Sequence, residues 1–459
     1  MTGIQEGTIA AIATPIGEGG IAVIRVSGSE AFSITQKIFS PADKIEFKNC
    51  APNTIRLGKI LNNEGKTIDQ VLASLFKAPQ SYTGEDTIEI SCHGGLLVSR
   101  KILELIYQAG ARAAEPGEFT KRAFLNGKID LTQAEAVLDL IRAKSDRARE
   151  IAVRQLEGSL SIRFKDFRDR IMSVYANMEA YLDFPDEDLE INIREGMQKQ
   201  LVQIEEIIQG LLAGFAKNSL LREGASIVLA GKPNAGKSSL FNALLERDRA
   251  IVSAIPNTTR DVIEEPLEID GFWVRLADTA GIVSTPEHPL DEISMQRSRE
   301  AIEKCHLVLF VVDGSAPLDA ADRNVLEKIS ADKPRLILTN KADLANGLLK
   351  ENIKELGETI AVSTKTGQGL DLLEKKLAIF LAENTSDNGE QITKLRHQNA
   401  LNEALESLLR ARLAYEQGLS FEFVTLDLKS AINALEELMG SVCSEDLLDV
   451  VFSQFCIGK

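Results

Sequence analysis

Apolar residues along the first 120 positions fall into short runs separated by glycine-containing turns. Residues 21–26 (Ile-Ala-Val-Ile-Arg-Val) and 87–90 (Thr-Ile-Glu-Ile) are rich in the β-branched residues that strands favour. Residues 96–109 instead repeat their apolar positions at helical spacing. The pattern predicts an α+β domain over residues 1–120.

From about Asn126 the apolar positions follow a helical period. Four apolar residues recur at i, i+3, i+7 and i+10: Leu131, Ala134, Leu138 and Ile141. Helical patterning continues to Tyr181, where a Phe-Pro-Asp-Glu segment breaks it, and another helix is predicted at about residues 198–215. Residues 121–221 are therefore predicted to form the first part of a helical domain.

Strands alternate with helices between residues 222 and 384. The strands are predicted at residues 227–230, 273–277, 306–312, 335–339 and 359–362. This alternation predicts a doubly wound, mostly parallel sheet. A polar linker follows at residues 383–390, and the chain is then helical to its end. An α/β domain over 222–384 is thus predicted to be inserted into a helical domain whose second part covers 385–459.

Composition narrows the class of protein. The chain has 459 residues, enough for about three domains, with 44% apolar and 26% charged residues, as in globular proteins. The net charge of −16 argues against a general nucleic-acid binder, which needs a broadly basic surface. The apolar runs, such as residues 307–312, are far shorter than the roughly 20 residues that span a bilayer, and no basic leader precedes Glu6. Five cysteines without a C-x-x-C pair fit a reducing compartment, so we expect a cytoplasmic protein.

A phosphate-binding loop follows the first strand of the α/β domain. Residues 231–238 read Gly-Lys-Pro-Asn-Ala-Gly-Lys-Ser, a pattern whose glycines let backbone N–H groups face phosphates at a helix N-terminus. Lys237 is expected to reach the β- and γ-phosphates, and the Ser238 hydroxyl to bind Mg²⁺. Two later elements argue against a chance glycine turn. Thr259 is placed to close over the metal, and residues 278–281 (Asp-Thr-Ala-Gly) end a strand.

Residues 340–343 (Asn-Lys-Ala-Asp) indicate which base is bound. A carboxylate at Asp343 accepts two hydrogen bonds from guanine, through N1–H and the exocyclic amine, whereas adenine offers neither donor there. Residues 363–365 (Ser-Thr-Lys) then supply a loop over the base. The motifs together predict a Ras-like, doubly wound P-loop GTPase domain. Its GTP-binding residues are predicted to be Asn234, Ala235, Gly236, Lys237, Ser238, Ser239, Thr259, Asp278, Thr279, Ala280, Gly281, Asn340, Lys341, Asp343, Ser363, Thr364 and Lys365.

The hydrolytic machinery differs from that of Ras. Ile282 follows the Asp-Thr-Ala-Gly motif, so the glutamine that orients water in Ras-like proteins is absent. Another source of transition-state charge is needed. Asn234 is a candidate ligand for a monovalent cation that takes the place of an arginine finger, and residues 252–257 are long enough to wrap that cation with backbone carbonyls.

These features together resemble the MnmE (also called TrmE) family of tRNA-modification GTPases. The resemblance covers the whole chain, because long strings outside the GTPase motifs also match. They are residues 24–28, 82–89, 92–95, 116–126 and the terminal Cys-Ile-Gly-Lys at 456–459. What the resemblance implies is a homodimeric, potassium-stimulated GTPase that works with the FAD-dependent partner MnmG (GidA) in a heterotetrameric or larger complex. Together they add an aminomethyl-type (carboxymethylaminomethyl) group at C5 of the wobble uridine of certain tRNAs.

The resemblance also assigns a folate site. The family's first domain binds a tetrahydrofolate (5,10-methylene or 5-formyl) that supplies the carbon, and forms the homodimer. Its folate-contacting positions fall on Arg25, Glu89, Lys128 and Lys459. Glu89 can accept paired hydrogen bonds from a pterin's N3–H and 2-amino group, and the cations suit the anionic tail. Without the resemblance, Glu89 would be an ordinary strand carboxylate and Lys128 a solvated cation.

The family's catalytic and cation-binding positions carry over less completely. The potassium ligands map to Asn234, Ser253, Ile255 and Thr258, of which Ser253 and Thr258 also join the GTP-binding set. Asn257 stands where the family commonly has glycine. The family's water-orienting glutamate aligns with Asp291, one methylene shorter, and Glu292 lies beside it. Lys237 and Asp291 are the predicted catalytic residues.

Cys456 has two interpretations. It is either an ordinary terminal cysteine or, as the resemblance to the family implies, a third catalytic residue that acts as the nucleophile toward a pyrimidine C6. It is a poor match to a prenylation box. Two other classes of protein stay open for the whole chain. One is a regulatory GTPase of ribosome assembly whose first domain only binds RNA or protein, and the weaker one is a membrane-associated GTPase, which the absence of an anchor disfavours.

Overall fold

The computed structural model describes residues 7–43, 45–183, 190–247, 263–278, 289–344, 358–385 and 392–459. The chain divides into two compact units. One comprises Met1–Ile141, Gln155–Leu201 and Glu406–Lys459, and the other comprises Arg142–Arg154 and Val202–Leu405. The division of the chain at residues 120, 221 and 384 inferred from the sequence stays a prediction.

The N-terminal part of the first unit is a seven-stranded sheet with helices. Its strands are β1 (Ile9–Ile12), β2 (Ile21–Ser27), β3 (Phe39–Pro41), β4 (Thr54–Leu61), β5 (Thr67–Phe76), β6 (Thr87–His93) and β7 (Arg112–Ala113). Its helices are α1 (Ala31–Ile38), α2 (Leu96–Ala109) and α3 (Glu118–Leu125). The strand order is β3-β4-β5-β6-β2-β1-β7, and only the β1–β7 pair is parallel. The predicted α+β character is confirmed.

Alternation along β2 explains why one face of this sheet forms a core. Ala22, Ile24 and Val26 are buried, while Val23 and Arg25 on the opposite face are only partly covered. The buried residues pack against Ile34 of α1 and Ile102 of α2 in one apolar cluster. Arg25 is therefore presented on the face of the sheet away from this cluster.

Helices occupy the part of the sequence between the strands of the first sheet and those of the second. They are α4 (Leu131–Arg142), α5 (Asp146–Leu156), α6 (Ser159–Asp183) and α7 (Glu190–Glu223). The helical period predicted from about residue 126 is confirmed, with breaks at residues 143–145 and 157–158. The helix predicted at 198–215 is longer at both ends, because Glu, Gln, Lys and Arg form helices well without an apolar period to signal them.

The second unit contains a six-stranded sheet. Its strands are β8 (Ala225–Ala230), β9 (Ile263–Ile269), β10 (Phe272–Asp278), β11 (Leu307–Asp313), β12 (Arg335–Asn340) and β13 (Thr359–Ala361). Its helices are α8 (Lys237–Arg247), α9 (Pro289–Lys304), α10 (Ala320–Glu327) and α11 (Leu370–Glu383). The order is β13-β12-β11-β8-β10-β9, and all neighbours are parallel except β9 and β10. The doubly wound, mostly parallel sheet is confirmed.

The central strands of this sheet are buried on both faces. Six of the seven residues of β11 are buried, as are five of the six residues of β8, so these strands read as continuous apolar runs. Separate apolar clusters lie on the two faces. In such sheets ligands bind outside the carboxyl ends of the strands, and the loops after β8, β10, β11 and β12 begin at that edge.

The chain ends in three helices, α12 (Leu395–Glu416), α13 (Phe421–Met439) and α14 (Glu445–Phe452). Within the first unit α13 packs along α6. Leu448 and Phe452 of α14 pack with Leu131 and Leu138 of α4. The final residues continue beyond α14 and reach the N-terminal sheet, as described below.

Candidate functional site

The phosphate loop connects β8 to α8 and already holds its lysine in place. Lys237 is buried, and its Nζ donates hydrogen bonds to the carbonyls of Gly231 (2.9 Å) and Lys232 (3.0 Å). Burial lowers the pKa of Lys237, and the nearby Asp278 carboxylate acts in the opposite direction. Asn234 is exposed and has a left-handed backbone (φ 63°). The phosphate loop thus encloses the Lys237 ammonium, and the backbone N–H groups of the loop can bind an anion.

Ser238 and Asp278, which the sequence assigns to the predicted Mg²⁺ site, contact each other directly. The Ser238 hydroxyl donates to Asp278 Oδ2 at 2.8 Å, which joins the start of α8 to the end of β10. The other oxygen, Asp278 Oδ1, is buried and has no hydrogen-bond partner among the described residues. A buried oxygen without a partner costs about 1–3 kcal/mol. A hard, oxygen-liganded cation with its waters fits this pair of side chains.

The guanine loop is tied to the phosphate loop by Asn340. Its side-chain amide donates to the Ala235 carbonyl at 3.0 Å, and its side-chain oxygen accepts from the Thr364 N–H at 3.4 Å. Asp343 Oδ1 accepts a hydrogen bond from Ser363 Oγ at 2.7 Å. The structure therefore brings the two predicted base-binding loops together and joins them to the phosphate loop. Ser239 and Lys365 are exposed at the same loops.

Several predicted residues lie outside the described residues. They are Ser253, Ile255, Thr258, Thr259, Thr279, Ala280 and Gly281. Asp291 and Glu292 belong to α9, but their side chains are also outside the described part of the chain. The roles assigned to all of these residues stay predictions.

The first unit carries a second cluster of predicted residues. Arg25 and Glu89 are directly opposite each other in the β2–β6 pair, and Nε and Nη2 of Arg25 both lie 2.8 Å from Glu89 Oε1. The Arg25 guanidinium lies 5.4 Å from the centre of the Tyr82 ring and 5.5 Å from that of Phe119. These contacts hold the guanidinium between two aromatic rings.

The C-terminal tail brings Lys459 to the same cluster. Ile457 forms an antiparallel bridge with Pro116, and the Gly458 carbonyl lies 3.5 Å from Arg25 Nη1. A Cβ on Gly458 (φ +96°) would lie 2.4 Å from the Ile12 carbonyl oxygen, so only glycine fits there. Burial and the Arg25 charge lower the pKa of Lys459, and Glu89 opposes them. Three of the four folate candidates are thus within electrostatic reach of one another.

The fourth folate candidate, Lys128, and the predicted catalytic residue Cys456 are placed differently. Lys128 is exposed and its Nζ donates to the Pro79 carbonyl at 3.0 Å; no contact in the described structure joins it to Arg25, Glu89 or Lys459. Cys456 is an exposed free cysteine three residues before the chain end. Its carbonyl lies 3.5 Å from the Gly117 N–H, which helps to hold the tail.

Models of known protein families match both the N-terminal part and the rest of the chain. The family model described as MnmE helical domain matches residues 131–456, and the model described as GTP-binding protein TrmE N-terminus matches residues 8–128. The tRNA modification GTPase MnmE of Carboxydothermus hydrogenoformans is 42% identical over 99% of this chain and 100% of its own. That of Moorella thermoacetica is 44% identical over the same shares. The chain belongs to the MnmE family. Like its relatives it is a tRNA modification GTPase, which binds and hydrolyses GTP and acts on tRNA.

Solved structures also match part of the chain. The Era protein of Aquifex aeolicus is 25% identical over 40% of this chain and 66% of its own, with a TM-score of 0.30. At this TM-score the likeness carries no conclusion about the present chain. Among the described residues of this MnmE-family chain, no helix is long and apolar enough to cross a membrane.

Some residues of the MnmE-family N-terminal site were not identified from the sequence. Buried Arg122 of α3 donates to both carboxylate oxygens of Glu85 (3.0 and 3.1 Å) and to Glu118. The Tyr82 hydroxyl bonds Thr120 Oγ at 3.0 Å. These contacts fix the loop before β6 to α3 and so position the rings around Arg25. The family resemblance already singled out residues 82–89 and 116–126. It did not predict the contacts between them, which join Glu85 to Arg122 and Tyr82 to Thr120.

Asp343→Asn tests the guanine assignment in this MnmE-family chain. The amide presents a donor where guanine also has donors, so GTP affinity should fall by about 10- to 150-fold while xanthosine triphosphate gains affinity. Dissociation constants for both nucleotides, measured on wild type and mutant, check this. Unchanged GTP affinity would remove Asp343 from the base site.

Proposed function

We propose that the chain couples potassium-stimulated GTP hydrolysis to the transfer of a tetrahydrofolate one-carbon unit to C5 of the wobble uridine. The folate is a 5,10-methylene or 5-formyl derivative, and the FAD-dependent protein MnmG (GidA) is the partner. The product is an aminomethyl-type (carboxymethylaminomethyl) group on certain tRNAs. The GTPase and tRNA-modifying activities follow from the family; the cofactors, partner and residues are the proposal.

The Arg25–Glu89–Lys459 cluster is the observation that carries the folate part. A pterin offers two adjacent N–H donors, and a carboxylate is their best acceptor. Glu89 Oε1 is occupied by Arg25, whereas no described residue donates to Oε2. The cations of Lys459 and Lys128 suit the folate's anionic tail, whereas Arg25 holds Glu89 in place for the pterin at the other end of the molecule. Cys456, three residues from Lys459, is the proposed nucleophile at the pyrimidine C6.

Two metal ions are proposed at the nucleotide. Mg²⁺ would be held by Ser238 and Thr259, with Asp278 acting through water, and would neutralise phosphate charge. K⁺ would be held by Asn234, Ser253, Ile255 and Thr258. Lys237 then contacts the phosphates and Asp291, or its neighbour Glu292, positions the attacking water.

The proposed homodimer is supported by an apolar surface of the N-terminal sheet. Leu57 on β4 and Leu72 on β5 are direct cross-strand partners, and the two residues are 47% and 44% exposed. Ile55, on the same face of β4, is 64% exposed. Exposed apolar side chains grouped on one sheet face are typical of protein interfaces. We place the complex in the cytoplasm, where tRNA and folates are available.

Potassium should stimulate GTP turnover where sodium does not, since the smaller ion does not maintain the same carbonyl contacts. Asn234→Ala should remove this stimulation with nucleotide affinity kept within about threefold, because the ion stabilises charge that develops in the transition state. GTPase rates in the two salts measure the effect. Asn234→Gly is the matched control for backbone strain at the left-handed position, and it should lose the stimulation equally. Equal wild-type rates in both salts would overturn the cation mechanism.

The complete proposal is tested by nucleoside mass spectrometry of tRNA from a deletion strain, with calorimetry of 5-formyl-tetrahydrofolate on the purified protein. Loss of the wobble modification together with measurable folate binding supports the proposal. Intact modification with defective ribosomal subunits would favour the regulatory GTPase. Absence of folate binding would remove the one-carbon role while leaving tRNA modification in place.

A further inference from the structure

Lysines from two nucleotide-binding loops are held by carboxylates of one segment. This segment, residues 313–322, begins at the end of β11 and runs into α10, and we refer to it as the β11–α10 connection. Its carboxylates belong to none of the sequence motifs that identified the GTP site. Lys341 lies in the guanine loop and Lys232 lies in the phosphate loop.

Asp313 holds the guanine loop. Its Oδ2 lies 2.6 Å from Lys341 Nζ, and its Oδ1 accepts from the N–H (2.9 Å) and hydroxyl (2.6 Å) of Ser315. Lys341 has a left-handed backbone (φ 62°), which is strained for a residue with a side chain. The Gly314 N–H also donates to the Asn340 carbonyl at 2.6 Å. The β11–α10 connection therefore holds the turn of the guanine loop through a backbone hydrogen bond and a side-chain ion pair.

Asp319 and Asp322 hold the phosphate loop. Lys232 Nζ lies 2.9 Å from Asp319 Oδ2 and 2.8 Å from Asp322 Oδ2. Asp322 is only 2% exposed, and it forms a capping box with Asp319 at the start of α10. The Lys232 carbonyl in turn accepts the hydrogen bond from Lys237 Nζ. A side-chain anchor on Lys232 thus fixes the backbone that encloses the phosphate-binding ammonium.

Asp313 and Asp319 both have lowered pKa values, so they stay ionised and keep their ion pairs with the lysines. Burial alone would raise the pKa of Asp313, but hydrogen bonds from Lys341 and Ser315 outweigh it and hold that pKa at about 2. Hydrogen bonds from Lys232 and from the Asp322 N–H lower the pKa of Asp319 to about 2. Asp313 and Asp319 are therefore charged throughout the pH range in which cytoplasmic enzymes work. Exposed ion pairs contribute little to stability, but the Lys232–Asp322 pair is largely shielded from solvent and the Lys341–Asp313 pair is partly shielded.

We propose that the β11–α10 connection is a positioning element of the GTPase site. Asp313 orients the guanine loop through Lys341, and Asp322 with Asp319 fixes the phosphate loop through Lys232. Because Asn340 also joins the two loops directly, the contacts form a closed ring that links the phosphate loop, the guanine loop and the β11–α10 connection. Each half of the connection should then affect a different part of the nucleotide, the base in one case and the β-phosphate in the other.

The binding of three nucleotides to the whole 459-residue chain distinguishes the two roles. GDP is compared with inosine diphosphate, which lacks the 2-amino group, and with GMP, which lacks the β-phosphate. Asp313→Asn should weaken GDP binding about 10-fold and lower the preference for GDP over inosine diphosphate at least about threefold. Asp322→Asn should also weaken GDP binding about 10-fold, but should lower the preference for GDP over GMP and leave the inosine comparison unchanged.

Controls separate positioning from loss of stability. Asp332→Asn neutralises an exposed carboxylate of the same compact unit that contacts Ser330 and its own backbone N–H rather than either nucleotide-binding loop, and it should leave all three affinities unchanged. If Asp322→Asn fails to fold, Lys232→Gln tests the same contact, and Lys232→Arg should restore it by pairing with both carboxylates. Affinities within twofold of wild type would overturn the proposal. So would losses that leave both nucleotide preferences unchanged and track only the midpoint of thermal unfolding.

Discussion

Gly236→Ala should weaken binding of GDP and GTP by about 1,000-fold. Gly236 has φ +92°, and an added Cβ would lie 2.1 Å from Nδ2 of Asn340. Asn340 is 1% exposed and donates this amide to the Ala235 carbonyl, so it has no open space into which to move. The variant combines backbone strain of about 1–3 kcal/mol with the loss of a buried hydrogen bond, costing about 1–3 kcal/mol more. The phosphate and guanine loops would separate, and both halves of the nucleotide would lose contacts.

Gly271→Ala is the matched control for that experiment. Gly271 also has a left-handed backbone (φ +77°) and lies in the same compact unit, in the β9–β10 turn. Its added Cβ would meet the Arg147 side chain at an ordinary 3.4 Å. Calorimetry or fluorescent-nucleotide titration should show near-normal affinity for this variant. Affinity of Gly236→Ala within tenfold of wild type would mean that Asn340 does not link the two loops.

The nucleotide site was largely predictable because its residues are ordered along the chain by the sheet itself. Each motif follows a strand, and the carboxyl ends of parallel strands share one edge. Strand β9 was missed because Glu264, Glu265 and Pro266 interrupt its apolar pattern. These residues are tolerated since β9 is an edge strand paired only with β10. The Asp313 and Asp322 contacts were also missed, because surface carboxylates carry no spacing that names their partners.

The N-terminal cluster shows a different limit of sequence reasoning. Arg25 and Glu89 are far apart in the chain and become neighbours through the register of β2 with β6, which no local pattern fixes. The approach of Lys459 depends on the path of the last residues past Pro116 and Ile12. Such long-range contacts were available only from the family resemblance, which supplied residue positions without their geometry. The ring contacts of Tyr82 and Phe119 with Arg25 came from the structure alone.

Glu89→Ala should reduce binding of 5-formyl-tetrahydrofolate by at least about 100-fold while leaving GDP affinity unchanged. Two charge-assisted hydrogen bonds from the pterin would be lost, each contributing about 1.5–3 kcal/mol. Arg25 would also lose the carboxylate that holds its guanidinium between Tyr82 and Phe119, so the remaining cation would no longer be oriented. GDP affinity should stay at the wild-type value, because its site lies in the other compact unit.

Two companion variants make the folate result specific to a carboxylate at this position. Glu64→Ala removes the same charge from an exposed turn glutamate paired with Lys66, and should bind folate normally. Glu89→Gln keeps the shape but presents an amide donor to the pterin, and should lose nearly as much affinity as the alanine variant. If Glu89→Gln bound folate as wild type does, neutral hydrogen bonding would suffice and the charged carboxylate would not be the pterin acceptor. Equal affinity of Glu89→Ala and Glu64→Ala would move the folate site away from the Arg25–Glu89–Lys459 cluster altogether.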